Sequence, residues 1–273
     1  MLGDRRAVLV STASTIVFFL VIGLVFTLSP GFDRVRDSFL DWTAMRESFL
    51  GSANTPAIWS AFLMNVKMFL IAEPLILILA LVIAIVRQIP GPAFFPFRLV
   101  AVVYTDFFRG VPLLLVVILL GFGLPGLQLQ GVSHFDVQVY GIAALVLSYS
   151  AYVAEVYRAG IESVHPSQVA AARSLGLTRL QALRHVVVPQ AVRRVIPPLL
   201  NDFISLQKDT ALVSTLGTIE ALRAAQIYGA LTFNYSSLLV AAFLFILVTI
   251  PLARFTDRLI ARSQQRRVGT TAR

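Results

Sequence analysis

The sequence predicts an all-α, polytopic membrane protein, and three observations carry that prediction. The mean hydropathy is +0.80, with 57% hydrophobic and only 14% charged residues, which is far too apolar for a water-soluble chain of 273 residues. Apolar runs approach or exceed the ~20 residues needed to cross a bilayer, and short polar segments separate them. The 23 Lys and Arg, against 14 Asp and Glu, gather in alternate connections, as the positive-inside rule demands. In a soluble chain a net charge of +9 points to nucleic acid; here its distribution describes topology, and no nucleic-acid partner is expected. Without cysteine there is neither a disulfide framework nor a thiolate metal site.

The first element, Ala7 to Leu28, follows Arg5 and Arg6 and is long enough to span. A signal peptide competes, but its apolar region would be about 7 to 15 residues and end in a small-x-small cleavage site, which LSPGFD lacks. The expectation is a retained span with its N-terminus inside. Ser29 to Pro56 mixes both charge signs with apolar residues every three or four positions. That pattern fits an amphipathic helix at the outer interface, and equally an ordered linker packed on the domain. Residues 1–56 thus form an N-terminal span and external linker.

Residues 57–258 are expected to form the membrane domain proper. Ala57 to Val86 contains Lys67, Glu73 and Pro74, so an interfacial start leads into a span running inward to Arg87. Ile89 to Phe97 makes a turn, Leu99 to Leu120 returns outward, and Gly121 to Val137, without Lys or Arg, is an external loop. Gln138 to Arg158 comes back in. Val195 onward carries Pro197, Pro198, Asn201, Asp202, Lys208 and Asp209, a helix too polar to face lipid on all sides. Gly217 to Asn234 is external or re-entrant, and Tyr235 to Pro251 is the last span. Residues 259–273 form a basic tail, with Arg262, Arg266 and Arg267 holding the C-terminus inside. About six spans with both termini cytoplasmic satisfy every loop's charge.

Between the third and fourth apolar segments of this domain lies its most informative stretch, residues 159–194. It is polar, basic and helix-patterned. Ser167 is expected to cap a helix over Gln168 to Leu175, and Gly176 to end it in the left-handed conformation. Thr178 with Gln181 forms a capping box that opens a second helix, ended by Pro189.

The order Ala170-Ala171-Ala172, three residues, Gly176, nine residues, Val186-x-Val188-Pro189 resembles the EAA loop of ATP-binding cassette (ABC) importer permeases. AYVAEVYRAGI at Ala151 to Ile161, VPQAVRRVIPPLLNDFISLQKDT at Val188 to Thr210, RGVPLL at Arg109 to Leu114 and GFGLP at Gly121 to Pro125 are similar to the branch importing polar amino acids. The resemblance runs over about Leu63 to Arg258. It implies a five-helix permease core plus one N-terminal helix, a second permease copy or paralogue, ABC ATPase subunits, an extracytoplasmic solute-binding protein, and a bacterial inner membrane. It also implies that Ala170, Ala171, Ala172, Gly176 and Leu177 lie at or near the ATPase contact, with Arg173 beside it. The chain departs from the family at Ala170, where a glutamate is usual, at Val116, where glutamine is frequent, and at Ala211, where serine is common.

No phosphate-binding GxxxxGK[ST] is present, and the two lysines, Lys67 and Lys208, follow no glycine cradle. The chain is therefore not expected to be an enzyme, and ATP and Mg would belong to a partner. His134, His165 and His185 are far apart in sequence, so no metal site is expected. Charges at membrane depth are costly and normally face a cavity or each other. Asp106 with Arg109, and Glu155 with Arg158, stand three apart on a helix, so each pair is expected to neutralise itself first. Lys208 and Asp209 are adjacent and point apart; with Asn201, and with Glu155 as a further candidate, they are expected to line or brace a path for a substrate carrying both charge signs. Two other classes remain open at this point. An ion-coupled secondary transporter usually shows more spans or an internal repeat. A membrane scaffold leaves Lys208 and Asp209 without a purpose.

Overall fold

The computed structural model describes residues 5–271, with side chains from 7 to 261. The side chains of Arg5, Arg6, Arg262, Arg266 and Arg267 lie outside the described residues. Helices α1 (Arg5–Thr27), α2 (Phe32–Phe39) and α3 (Trp42–Leu50) precede the main bundle. The apolar stretch of α1 is not buried against anything else in the chain. The segment that follows is both helical and packed: the Tyr235 N–H donates to the Ser38 carbonyl at 2.7 Å, the Asp41 N–H donates to Ser236 Oγ at 3.0 Å, and Phe39 stacks on Tyr235. Asp41 caps α3 by accepting from the N–H groups of Thr43 and Ala44.

Helix α4 (Ile58–Gln88) is one continuous helix of 31 residues despite Pro74, with no separate interfacial start. Met68, Ala72, Ile76, Ala80 and Ile83 form its buried stripe at helical spacing. A short 3-10 turn at Pro92–Phe94 leads into α5 (Phe95–Gly110). Leu99 to Leu120 is not one straight helix. The chain turns through 106° between α5 and the run of α6 (Leu113–Ile118), a π-turn at Leu119–Gly123 and α7 (Leu124–Gly126). Pro112 has no N–H and forces Val111 into extended backbone, at φ −96° and ψ 131°, so the helix stops there. The start of Gly121 to Val137 is accordingly helical, and Gly121 is packed, with a Cβ there standing 2.3 Å from Leu216 Cδ2, whereas residues 127–136 form a mostly exposed loop as read.

Helix α8 (Val137–Glu162) runs through the centre of the bundle against α4, α5 and α11. At the polar loop come α9 (Pro166–Ser174), α10 (Arg179–Ala182), a π-turn at Leu183–Val187 and α11 (Val188–Asp209). Pro189 does not end a helix, contrary to expectation, and α11 continues through Pro197 and Pro198. Pro189 sits in the first turn, where a missing N–H costs least, and the wider π-turn ahead of it absorbs the steric conflict. A 3-10 segment (Thr210–Leu216), α12 (Ala221–Thr232) and α13 (Ser236–Thr271) complete the fold. Pro251 does not end the last helix either; α13 continues to Thr271.

One apolar core joins Met68 and Ile76 of α4, Leu145 and Val153 of α8, Leu206 of α11 and Val213. A second joins Ile58 and Phe62 to Ala221, Ala224, Ala225 and Ala241. By length and composition α1, α4, α8 and α13 are long and apolar enough to span, and the bent pair makes five. Helix α11, whose 22 residues reach ~33 Å, is not among them, and its polarity demands protein on several sides.

Candidate functional site

Two constellations stand at different depths. The first is the loop that α8 delivers and α11 takes away. His165, not Ser167, caps α9: its Nδ1 accepts from the Ser167 N–H at 3.2 Å, and the Ser167 hydroxyl lies 2.7 Å from the same nitrogen. Histidine precedes Pro166, which suits the first helical turn, so the helix starts two residues earlier than expected. At its end the Leu177 N–H donates to the Ala172 carbonyl and the Gly176 N–H to the Arg173 carbonyl, with Gly176 at φ +89°. That is a complete Schellman turn, which needs glycine for its left-handed residue. The Thr178–Gln181 capping box forms as read, with reciprocal bonds of 3.3 and 2.8 Å. At the root of the loop the Arg194 guanidinium donates to the Ser163 carbonyl. There α8 and α11 touch so closely that a Cβ on Gly160 would lie 2.1 Å from Val195 Cγ1.

Burial sorts the loop residues. Ala172 is buried and Leu177 half-buried, so both face into the loop rather than outward. Ala170, Ala171, Arg173 and Gly176 are exposed. The outermost apolar side chains are Leu175 and Leu180, 85% and 73% exposed, which the sequence reading did not single out. Their exposure depends on which way a tight turn points, and no spacing rule exposes that.

The second constellation lies along α11 and its neighbours. Glu155 is held by two cations: Arg87 at the end of α4 donates at 2.9 Å, and Arg158 makes an ion pair and continues to Glu162. Deeper in, the Tyr149 hydroxyl donates to Asp209 Oδ2 at 2.6 Å. Asp202, two turns before Asp209, has its Oδ2 buried without a hydrogen-bond partner among the described residues. Asn201 and Lys208, seven apart on one face of α11, are both exposed, and Lys208 forms no ion pair among the described residues. The expected Asp106–Arg109 pair does not form; both side chains are exposed at the end of α5, while the Arg109 carbonyl accepts from Tyr152 Oη at 3.2 Å. Residues three apart on a helix meet only if both rotamers lean together, and here nothing buries them to force it.

A third polar group went unread. Asn65 Nδ2 donates to Thr210 Oγ1 at 3.1 Å and Glu220 Oε2 at 2.9 Å, while its Oδ1 accepts from the Ala221 N–H at 3.1 Å. Glu220 caps α12 by accepting from the N–H groups of Leu222 and Arg223. Both side chains are buried, at 1% and 0% exposure, so α4, the end of α11 and α12 are bound through one hydrogen-bonded unit. A polar residue inside an apolar run was the available signal at Asn65. Among the described residues no three His, Asp or Glu come together as metal ligands would.

The sequence pattern of the family described as "Binding-protein-dependent transport system inner membrane component" matches residues 93–268. The arginine transport system permease protein ArtQ of Bacillus subtilis is 32% identical over 207 residues, covering 76% of this chain and 92% of that protein. The probable glutamine ABC transporter permease protein GlnM of the same organism is 36% identical over 179 residues, covering 64% and 79%. Among solved structures, one described as an amino acid ABC transporter with histidines aligns with a TM-score of 0.68 at 32% identity, covering 75% of this chain and 93% of its own. The inward-facing MetNI methionine ABC transporter, at 15% identity and a TM-score of 0.61, shares the fold. The helical bundle, the polar loop between α8 and α11 and these likenesses lead to one conclusion: the chain belongs to the family of binding-protein-dependent transport system inner membrane components, as a multi-pass permease subunit.

Proposed function

We propose that this chain forms half of the translocation path of an ATP-driven amino acid importer. A second permease, identical or related, supplies the other half. The polar loop, residues 159–194, docks on a separate ABC ATPase that carries ATP and Mg, and an extracytoplasmic solute-binding protein delivers the substrate. The observation that carries this reading is the loop itself: two capped helices locked by a Schellman turn and tied at the root by Arg194, which suits a rigid knob that transmits force rather than a flexible linker. The positive charge of the same loop supports a cytoplasmic side for it and for both termini. Names of relatives mention glutamine and arginine, and a polar amino acid is the substrate class we infer.

Within the path, Asn201 and Lys208 offer a polar face of α11, and Lys208 is the cation for a substrate carboxylate. Asp209, positioned by Tyr149, and the unpaired Asp106 and Arg109 are further path or gate residues. Glu155, bracketed by Arg87 and Arg158, braces the mouth rather than binding substrate. Binding protein and ATP then shift the pair between inward-open and outward-open states.

The test is uptake and ATPase activity in proteoliposomes holding the complex recovered with the tagged chain. Lys208→Met should abolish uptake and leave assembly intact. Gly176→Trp should separate ATP hydrolysis from uptake. Uptake that runs without any ATPase, on an ion gradient alone, would refute the importer reading in favour of a secondary transporter. Retained uptake in Lys208→Met would make that lysine structural.

A further inference from the structure

We infer that the ATPase surface meeting this permease is an apolar socket with an acidic rim, shaped for Leu175 and Leu180 and for a ring of arginines with no carboxylate among them. This rests on the docking reading above and gives the partner's chemistry. From Pro166 to Val188 the chain contains Arg173, Arg179 and Arg184 but no Asp or Glu. All three guanidinium groups are exposed, and none forms an ion pair among the described residues. The two carboxylates on the last turns of α8, Glu155 and Glu162, are already engaged by Arg158. The knob therefore presents uncompensated positive charge.

Its centre is apolar. Leu175 and Leu180 flank the Schellman turn and are among the most exposed large apolar side chains of the protein; Leu183 and Val188 are exposed to a lesser degree, while Val164, Ala172, Ala182 and Val187 are buried inward. The turn's paired hydrogen bonds fix the backbone that presents both leucines, so little conformational freedom is lost on docking. An apolar centre ringed by charge is the anatomy of a protein interface, in which desolvated anchors supply affinity and the rim supplies rate and selectivity. A membrane surface fits less well. The exposed residues of α9 other than Arg173 are Pro166, Ser167, Gln168, Ala170, Ala171 and Ser174, which give no large apolar stripe to insert.

The experiment uses the full complex in nanodiscs of neutral phosphatidylcholine, with its own copurified ATPase re-added as purified protein, and reads ATPase affinity for the permease against sodium chloride. The expected result is affinity falling steeply with salt, because exposed charge contacts are screened within about 8 to 10 Å at moderate ionic strength. The triple variant Arg173→Glu, Arg179→Glu, Arg184→Glu should lose about 10- to 100-fold in affinity at low salt, mainly through slower association. Leu175→Asp and Leu180→Asp should each lose about 30-fold, with the salt dependence retained. All are surface changes, and an unaltered melting temperature confirms folding. If affinity ignores salt and the triple variant binds normally, while Leu175→Asp still abolishes docking, the acidic rim is wrong and the docking reading stands. If neither the leucine nor the arginine variants weaken the ATPase, the docking reading falls as well. If the arginine variants matter only in nanodiscs of anionic phosphatidylglycerol, the cations read lipid and the proposal is overturned.

Discussion

Replacing Asn65 by leucine keeps the side chain's approximate volume and removes all three hydrogen bonds at the junction of α4, α11 and α12. Thr210 retains its bond to the Gln207 carbonyl at 2.7 Å, so little is lost there. The Ala221 N–H has no second partner and becomes a buried donor without an acceptor, which costs about 1 to 3 kcal/mol. Glu220 Oε2 keeps the Leu222 N–H but loses its side-chain donor, and a bond to a charged group is worth about 1.5 to 3 kcal/mol. Better apolar packing of leucine offsets a part, leaving a net loss of about 2 to 5 kcal/mol. At about 2 to 4 °C per kcal/mol for a chain of this size, the melting temperature in detergent should fall by roughly 5 to 15 °C. The double variant Asn65→Leu, Glu220→Gln should lose less than the sum of the two single changes, because both act on one unit. A single variant that melts within 1 °C of the parent would refute the idea that this junction holds α12 in place.

Three further outcomes follow from the same geometry. Gly160→Ala should cost about 1 to 3 kcal/mol by driving a methyl into Val195, and Val195→Ala in the same chain should recover most of it; melting curves of the three variants check this. Glu155→Gln should lower stability by about 1 kcal/mol, given that the arginines it faces are 15% and 28% exposed, while uptake per folded molecule keeps its KM; a changed KM would return Glu155 to the substrate path. Burial pushes the Glu220 carboxyl above its ordinary range, with Asn65 and the N–H groups of Leu222 and Arg223 pulling it partly back. The folded state therefore holds this proton more tightly than the unfolded chain, and the group's contribution to stability grows as pH falls through the raised value. Melting temperatures between about pH 5 and 8 should show that component in the parent and lose it in Glu220→Gln.

What the sequence discloses follows the range of the interactions. The loop was legible because its signals are local: Thr178–Gln181 and Gly176 act within one turn of chain, and they formed as read. Prolines were the main source of error, since their effect depends on neighbours. Pro112 broke a helix because Val111 went extended with it, whereas Pro189, Pro197, Pro198 and Pro251 stayed inside continuous helices. Ionisable residues could be placed at depth but not paired. Glu155 found Arg87, which is 68 positions away, and Asp209 found an uncharged partner in Tyr149 across 60 positions. The Asn65–Glu220 junction, 155 positions apart, is set wholly by tertiary packing.

The close crossing of Gly160 and Val195 gives α10 through α11 the character of a see-saw. The helical run continues from Arg179 to Asp209 through the π-turn, although Pro189, Pro197 and Pro198 donate no backbone bond to it. Val195 lies ~22 Å along that rod from Leu180 and ~20 Å from Lys208, so the fulcrum divides it into nearly equal arms. For a rigid rod on that fulcrum, a tilt imposed at the loop end would swing the Asn201–Lys208 face by a similar distance in the opposite sense. Glycine at the pivot lets the two backbones roll past each other, and a larger residue there would jam the beam even where the protein still folds.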